Sequence, residues 1–188
     1  NTFNNLVAEA DDGIFIFEAL TGANLSLDGD ADNAADTNDA ITITGNQTLL
    51  SGNTGAFVGT TGSLTLAATT GNITTAGNLD LTISQDTATM TINDSLAANG
   101  EIVINTLLSS GNLVVADGAI VSTANRTINI NVGDIDLSNT GALNAGTDNI
   151  EIFHSNSAGI GLGDTQIAGG MNISAGELTR MTASILDL

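Results

Sequence analysis

Leu79-Asp-Leu81, Ile102-Val-Ile104, Ile128-Asn-Ile130 and Ile150-Glu-Ile152 repeat one pattern, two aliphatic residues around a single intervening one. A second set, Met90-Thr-Ile92, Leu113-Val-Val115 and Ile135-Asp-Leu137, falls between the members of the first. Alternation over three to five residues is the mark of a strand with one face inward. Each set returns after roughly 21 to 26 residues, a period expected of stacked solenoid repeats. Met171 and Ile173 read as the next member of the first set, and Ile160 and Leu162 as the next of the second.

The pattern extends towards the amino terminus through Leu64 and Leu66, Ile41 and Ile43, and Leu25 and Leu27. Between the strands stand Gly-containing pairs such as Ala76-Gly77, Asn99-Gly100, Asp117-Gly118 and Thr140-Gly141. Glycine there suits sharp corners, and Asn and Thr at corners are able to stack as hydrogen-bonded ladders along the axis. The expected fold is all-β, a right-handed parallel β-helix of about eight coils, each stacked about 4.8 Å above the last. A β-sandwich is the alternative, disfavoured because hairpin strands are usually longer and joined by two-residue turns.

Residues 1–20 read as an amino-terminal capping or docking segment and 21–188 as the solenoid. Asn4 to Asp12 lacks alternation, and Ile14-Phe-Ile-Phe17 is the densest apolar cluster in the chain. A strand apolar on both faces is expected to be covered on both.

Composition restricts the function. The 188 residues carry 21 acidic side chains against two arginines and no lysine, a net charge of −19. Nucleic acid and anionic membrane surfaces are excluded as partners, since both are bound by clustered Lys and Arg. No apolar run is long enough for a membrane-spanning helix, so membrane insertion is not expected. Cysteine is absent, which removes disulfides and thiolate metal sites.

Asp28, Asp30, Asp32, Asp36 and Asp39 occupy relative positions 1, 3, 5, 9 and 12 of one loop. That is the ligand spacing of a calcium loop, in which alternate carboxylates wrap one hard cation. Asn33 takes the place of the usual glycine, and Asn tolerates the left-handed conformation. The flanks read as strands, so the loop is not an EF-hand; structural calcium is the expected cofactor, with a merely solvated acidic loop as the alternative. A catalytic role is not expected. Arg126, Arg180 and His154 are the only cationic candidates, nothing in their spacing suggests convergence, and Trp and Tyr, the usual sugar platforms, are absent. His154 reads as an exposed strand-end residue.

The segment from Gly170 to Leu188 resembles a repeat of giant bacterial surface proteins of the filamentous haemagglutinin type, through Met171, Ile173, Ser174, Glu177, Leu178, Met181, Ala183 and Leu188. Glu177, Leu178 and Met181 also have helical spacing, which allows one turn of helix between two strands. The resemblance implies a β-helical shaft outside a bacterial cell, with a part in adhesion, filaments or a biofilm matrix. The expected function is an extracellular or cell-surface structural protein that assembles end to end into a homopolymer through Ile14, Phe15, Ile16 and Phe17 at one end and Ile185, Leu186 and Leu188 at the other. The alternative is an adhesin module that binds a glycan or a cell-surface receptor without self-assembly.

Overall fold

A computed structural model describes residues 2–34, 39–51, 64–67, 73–83, 88–106, 111–163 and 166–188. In chain order the first strands are β1 Thr2–Glu9, β2 Ile14–Ile16, β3 Leu20–Asp28, β4 Ile41–Ile43, β5 Gln47–Ser51, β6 Leu64–Ala67 and β7 Ile73–Thr75. Next come β8 Leu79–Ile83, β9 Thr89–Ile92, β10 Leu96–Ala98, β11 Ile102–Thr106, β12 Asn112–Val115, β13 Ile120–Thr123 and β14 Ile128–Val132. The chain ends with β15 Asp134–Leu137, β16 Ala142–Asn144, β17 Asn149–His154, β18 Ile160–Leu162, β19 Met171–Ile173, helix α1 Ala175–Leu178, β20 Met181–Thr182 and β21 Ile185–Asp187.

The protein is all-β apart from this one helical turn among the described residues, and every described pairing is parallel. Apart from β18 with β19, strands pair with strands other than their immediate sequence neighbours, and three columns form. The first runs β5-β8-β11-β14-β17-β21 and the second β6-β9-β12-β15. Strand β3 turns the corner between them, pairing β5 through Leu20–Gly22 and β6 through Leu25–Asp28, which makes one curled sheet of both columns. The third column, β2-β4-β7-β10-β13-β16-β20, is a separate seven-stranded sheet.

Register reproduces the sequence periodicity through most of the chain. Leu79, Ile102, Ile128 and Ile150 are successive partners in the first column. Met90, Leu113 and Ile135 are successive partners in the second. All seven are buried, at 2 % exposure or less. Each such side chain stabilises the fold by about 1.5 to 3 kcal/mol, because it is covered by the equivalent aliphatic side chain above and below. Hydrogen bonds from one rung to the next at the corners span 22 residues from Gly118 to Thr140, 23 from Asn78 to Glu101 and 32 from Asn46 to Asn78, so one return of the chain is longer near the amino terminus.

The two series end differently from expectation. Ile150 is followed in its column by Leu186, not by Met171. Ile160 does not extend the second column but pairs with Met171 in a two-stranded sheet of β18 and β19. The stretch between them and α1 displaces the period, so aliphatic pairs with the right spacing fall out of column. The helical turn anticipated between two strands is present, with Ser174 as N-cap and Glu177 closing a capping box.

The amino-terminal segment also departs from expectation. Thr2–Glu9 is a strand in spite of its irregular pattern, paired along its length with β3 from Thr2↔Thr21 to Glu9↔Asp28. Ile14–Phe17 is not covered on both faces: Ile16 is buried, while Phe15 and Phe17 are 59 % and 68 % exposed. Alternation prevails here, because β2 borders a sheet with a single core beneath it.

Candidate functional site

The corners of the columns are built by polar side chains reaching one rung onward. Asn46 Oδ1 accepts the backbone N–H of Asn78 at 2.9 Å, and Asn78 Oδ1 accepts that of Glu101 at 3.0 Å. Asn125 repeats the arrangement with the N–H of Thr147 at 3.0 Å. They run along the axis as the corner composition led one to expect, but each joins a side chain to the backbone of the next rung and not one asparagine side chain to another. At another corner Asp117 accepts from the Thr140 hydroxyl and from Thr140 N–H at 3.2 Å. The Thr140 hydroxyl, followed by the Asn139 amide, holds the Asp117 carboxyl below the ordinary Asp value.

The acidic loop follows β3. Asp28 Oδ1 accepts the N–H of Asp30 at 3.1 Å, and Asp32 Oδ1 accepts that of Ala34 at 3.0 Å, so both are turn-forming carboxylates. Asn33 adopts φ 55°, the left-handed conformation that the loop spacing asks for. Asp30 is 0 % and Asp39 6 % exposed, whereas Asp32 lies on the surface. Asp36 lies outside the described residues. Among the described residues, no three acidic or histidine side chains converge closely enough to hold a metal ion.

At the amino-terminal end the rings of Phe15 and Phe17 stack with centroids 6.4 Å apart and planes 17° off parallel. Strand β1 pairs with β3, and among the described residues no other strand pairs with it. At the carboxy-terminal end Ile185 is 58 % and Leu188 41 % exposed, and Leu186 packs partly against the core. The pairing order ends at β20 in the third column and at β21 in the first.

Strand β21 covers β17 only from Asn149 to Glu151. Beyond that register a cavity of about 450 Å³ opens, lined by Ile152, Phe153, His154, Ile160, Leu162 and Leu188 among others. His154 is 8 % exposed, not the exposed strand-end residue expected; its Nδ1 accepts the N–H of Asn156 at 3.2 Å. Alternation along β17 puts His154 on the same inward face as Ile150 and Ile152, in register with buried Val132, so the strand period itself marks it as inward.

Beyond β15 the chain's own β19 packs against the second column, and side chains bond the β15 backbone. Leu137 N–H donates to Glu177 Oε1 at 3.1 Å, and the Arg180 guanidinium donates to Leu137 O and, through Nε, to Gly141 O at 3.0 Å. Asn172 N–H donates to Asp134 Oδ1 at 3.4 Å. Although the Asp134 residue presents surface to solvent, its carboxyl is partly desolvated. That loss of water, with the Glu177 and Asp136 charges nearby, raises its pKa above the ordinary Asp value. Arg126, by contrast, lies in an exposed turn, its N–H donating to Thr123 Oγ1 at 3.1 Å. The roles of Glu177 and Arg180 at β15 were not anticipated from sequence; their three-residue spacing on one helical turn is the signal that points to them.

No protein-family model, curated protein or solved structure matches the chain. Its own geometry is therefore the basis for a functional reading.

Proposed function

We propose that the chain is a right-handed parallel β-helix of about eight coils that serves as an extracellular or bacterial-surface structural element, joining end to end with copies of itself. The observation that supports this most directly is the edge that, among the described residues, stays unpaired at each end of the same columns: β1 and β2 at one, β20 and β21 at the other. Parallel edges in common register are templates for further strands, and a head-to-tail contact that does not close gives a filament. The exposed Phe15 and Phe17 beside one edge and Ile185 and Leu188 beside the other supply apolar surface for such a contact.

A structural role and not a catalytic one fits the disposition of the cationic side chains, since Arg180 is committed to backbone carbonyls. Calcium is proposed as a stabilising ion at the loop of Asp28, Asp30, Asp32, Asp36 and Asp39, where two buried carboxylates lie in a chain of net charge −19. The resemblance of residues 170–188 to filamentous haemagglutinin repeats points the same way. Sedimentation of the purified chain across a range of concentrations, with electron microscopy of the same samples, tests the reading. Rods that lengthen with concentration are expected; a monomer at every concentration, with and without calcium, overturns self-assembly.

A further inference from the structure

We infer that the outward face of the third column is a docking surface for the same face of a second copy, a side-by-side contact distinct from the end-to-end joining proposed above.

Thr42, Thr74, Ala97, Ser122, Asn144 and Thr182 are successive partners along that column, each pointing away from the buried residue beside it. Their side chains are short and uncharged, and Phe15 of β2 begins the row. The neighbouring outward positions Ile120 and Ala142, also paired with each other, are uncharged as well. The other two columns differ. The first turns Asp80, Glu151 and Asp187 outward, and the second turns out Asp134 and Asp136.

In a chain of net charge −19, seven outward strand faces without a carboxylate form the one side on which two copies meet without setting like charges together. Depletion of charge is also what separates the centre of a protein interface from the rest of the surface. Carboxylates return at the corners, with Asp94 and Asp117 ahead of β10 and β13 and Glu101 and Asp148 after β10 and β16. The face is therefore a neutral strip between acidic rims, and its occupant is a surface equally neutral at its centre, which this chain itself supplies.

Size sets the strength of the contact. Seven strands give a strip of about 30 Å by 10 Å, roughly 300 Å² per copy. A stable complex buries about 800 Å² on each partner, so two single chains pair weakly and transiently. Covalent capture reads such a contact.

The chain has no cysteine, so one introduced thiol is an unambiguous probe. Strand β10 is the fourth of the seven, so when two such sheets are centred on each other Ala97 meets its own counterpart in either relative orientation. Ala97→Cys is compared with Val103→Cys on the first-column face, where residue 103 lies in register with Asp80. Both full-length variants are oxidised with diamide at equal concentration and ionic strength, with a calcium chelator present so that ions do not bridge the rims. Disulfide-linked dimer is expected to form about tenfold faster from Ala97→Cys, because like charges oppose approach at the control face. Equal rates overturn the pairing and leave the face to solvent or to a partner other than this chain. Adding Thr74→Asp and Ser122→Asp, the positions on either side of Ala97 in register, is expected to lower capture to the control rate. An undiminished rate also overturns the proposal. Should that triple variant not fold, Ser122→Asp with Ala97→Cys gives the same comparison. End-to-end joining leaves the Ala97 residues of two copies a chain length apart, so rods without capture at Ala97 refute this contact alone, and capture without rods supports it while end-to-end joining fails.

Discussion

Asn78 and Gly100 show how a single corner is specified. The Asn78 side chain bonds the next rung at Glu101, and a Cβ on Gly100 would overlap its Oδ1 and also lie 2.6 Å from the Asn78 backbone nitrogen. Gly146 makes the same approach to Asn125, but there the near atoms beyond Oδ1 lie at 3.2 Å or more. The two sites therefore separate side-chain from backbone crowding. Gly100→Ala is expected to cost about 1 to 3 kcal/mol in denaturant unfolding and not to be rescued by Asn78→Ala, because the backbone clash remains. Gly146→Ala, strained by φ +64° besides, is expected to be partly relieved by Asn125→Gly, which removes Oδ1 and suits the φ of 56° at residue 125. Equal non-rescue at both sites contradicts this account.

Asp134 gives the pH dependence at the same scale. Its folded pKa is raised, so the charged form is the less favoured one in the folded chain, and the penalty is present above the folded pKa and relieved as pH falls through it. Asp134→Asn is expected to raise the melting temperature at neutral pH while retaining an acceptor for Asn172 N–H. Below the carboxylate range the gain disappears. Melting curves of parent and variant across pH check this, and a gain independent of pH removes desolvation as its cause.

Among the elements, the strands of the first column were the easiest to read. In β8, β11, β14 and β17 the first two inward positions are large aliphatics and each corner carries Gly or a polar turn, so period and register appear together. The third column was harder to see. In β10 and β13 one inward position is Leu96 or Val121 and the next is Ala98 or Thr123, so an aliphatic pair never forms. Beyond β17 the spacing rule misled, because α1 and the stretch before β19 lengthen the return while leaving aliphatic pairs behind. Of the candidate sites, the left-handed Asn33 was legible locally and strand alternation from Ile150 and Ile152 marks His154 as inward, whereas what Glu177 and Arg180 touch depends on a chain return that no local pattern encodes. The column logic also predicts which core residue matters most. Ile130 lies between Ile104 and Ile152 and is 0 % exposed. Ile130→Ala is expected to cost about 2 to 5 kcal/mol, since rungs held at fixed spacing cannot close on the cavity. A loss below about 1 kcal/mol in equilibrium unfolding contradicts a rigid stack.

For the whole molecule, a net charge of −19 works against the compact state through self-repulsion. That charge is spread along the chain, yet Asp30 and Asp39 are withdrawn from solvent in one loop. Two effects of added calcium must be told apart: general screening of the acidic surface, which any divalent cation provides, and binding at the loop, which favours an ion accepting six to eight oxygens at flexible geometry. Binding to the folded chain alone stabilises it by about 2.7 kcal/mol at a hundredfold excess over Kd. For a chain of this size that corresponds to a rise in Tm of roughly 5 to 11 °C. Magnesium, which holds its water and demands octahedral geometry, is expected to give a much smaller rise. Asp30→Asn with Asp39→Asn is expected to abolish the calcium-specific part and leave the part common to both ions. If calcium and magnesium raise Tm equally in the parent, or if the double variant responds as the parent does, the loop is a solvated corner of the stack and calcium has no site there.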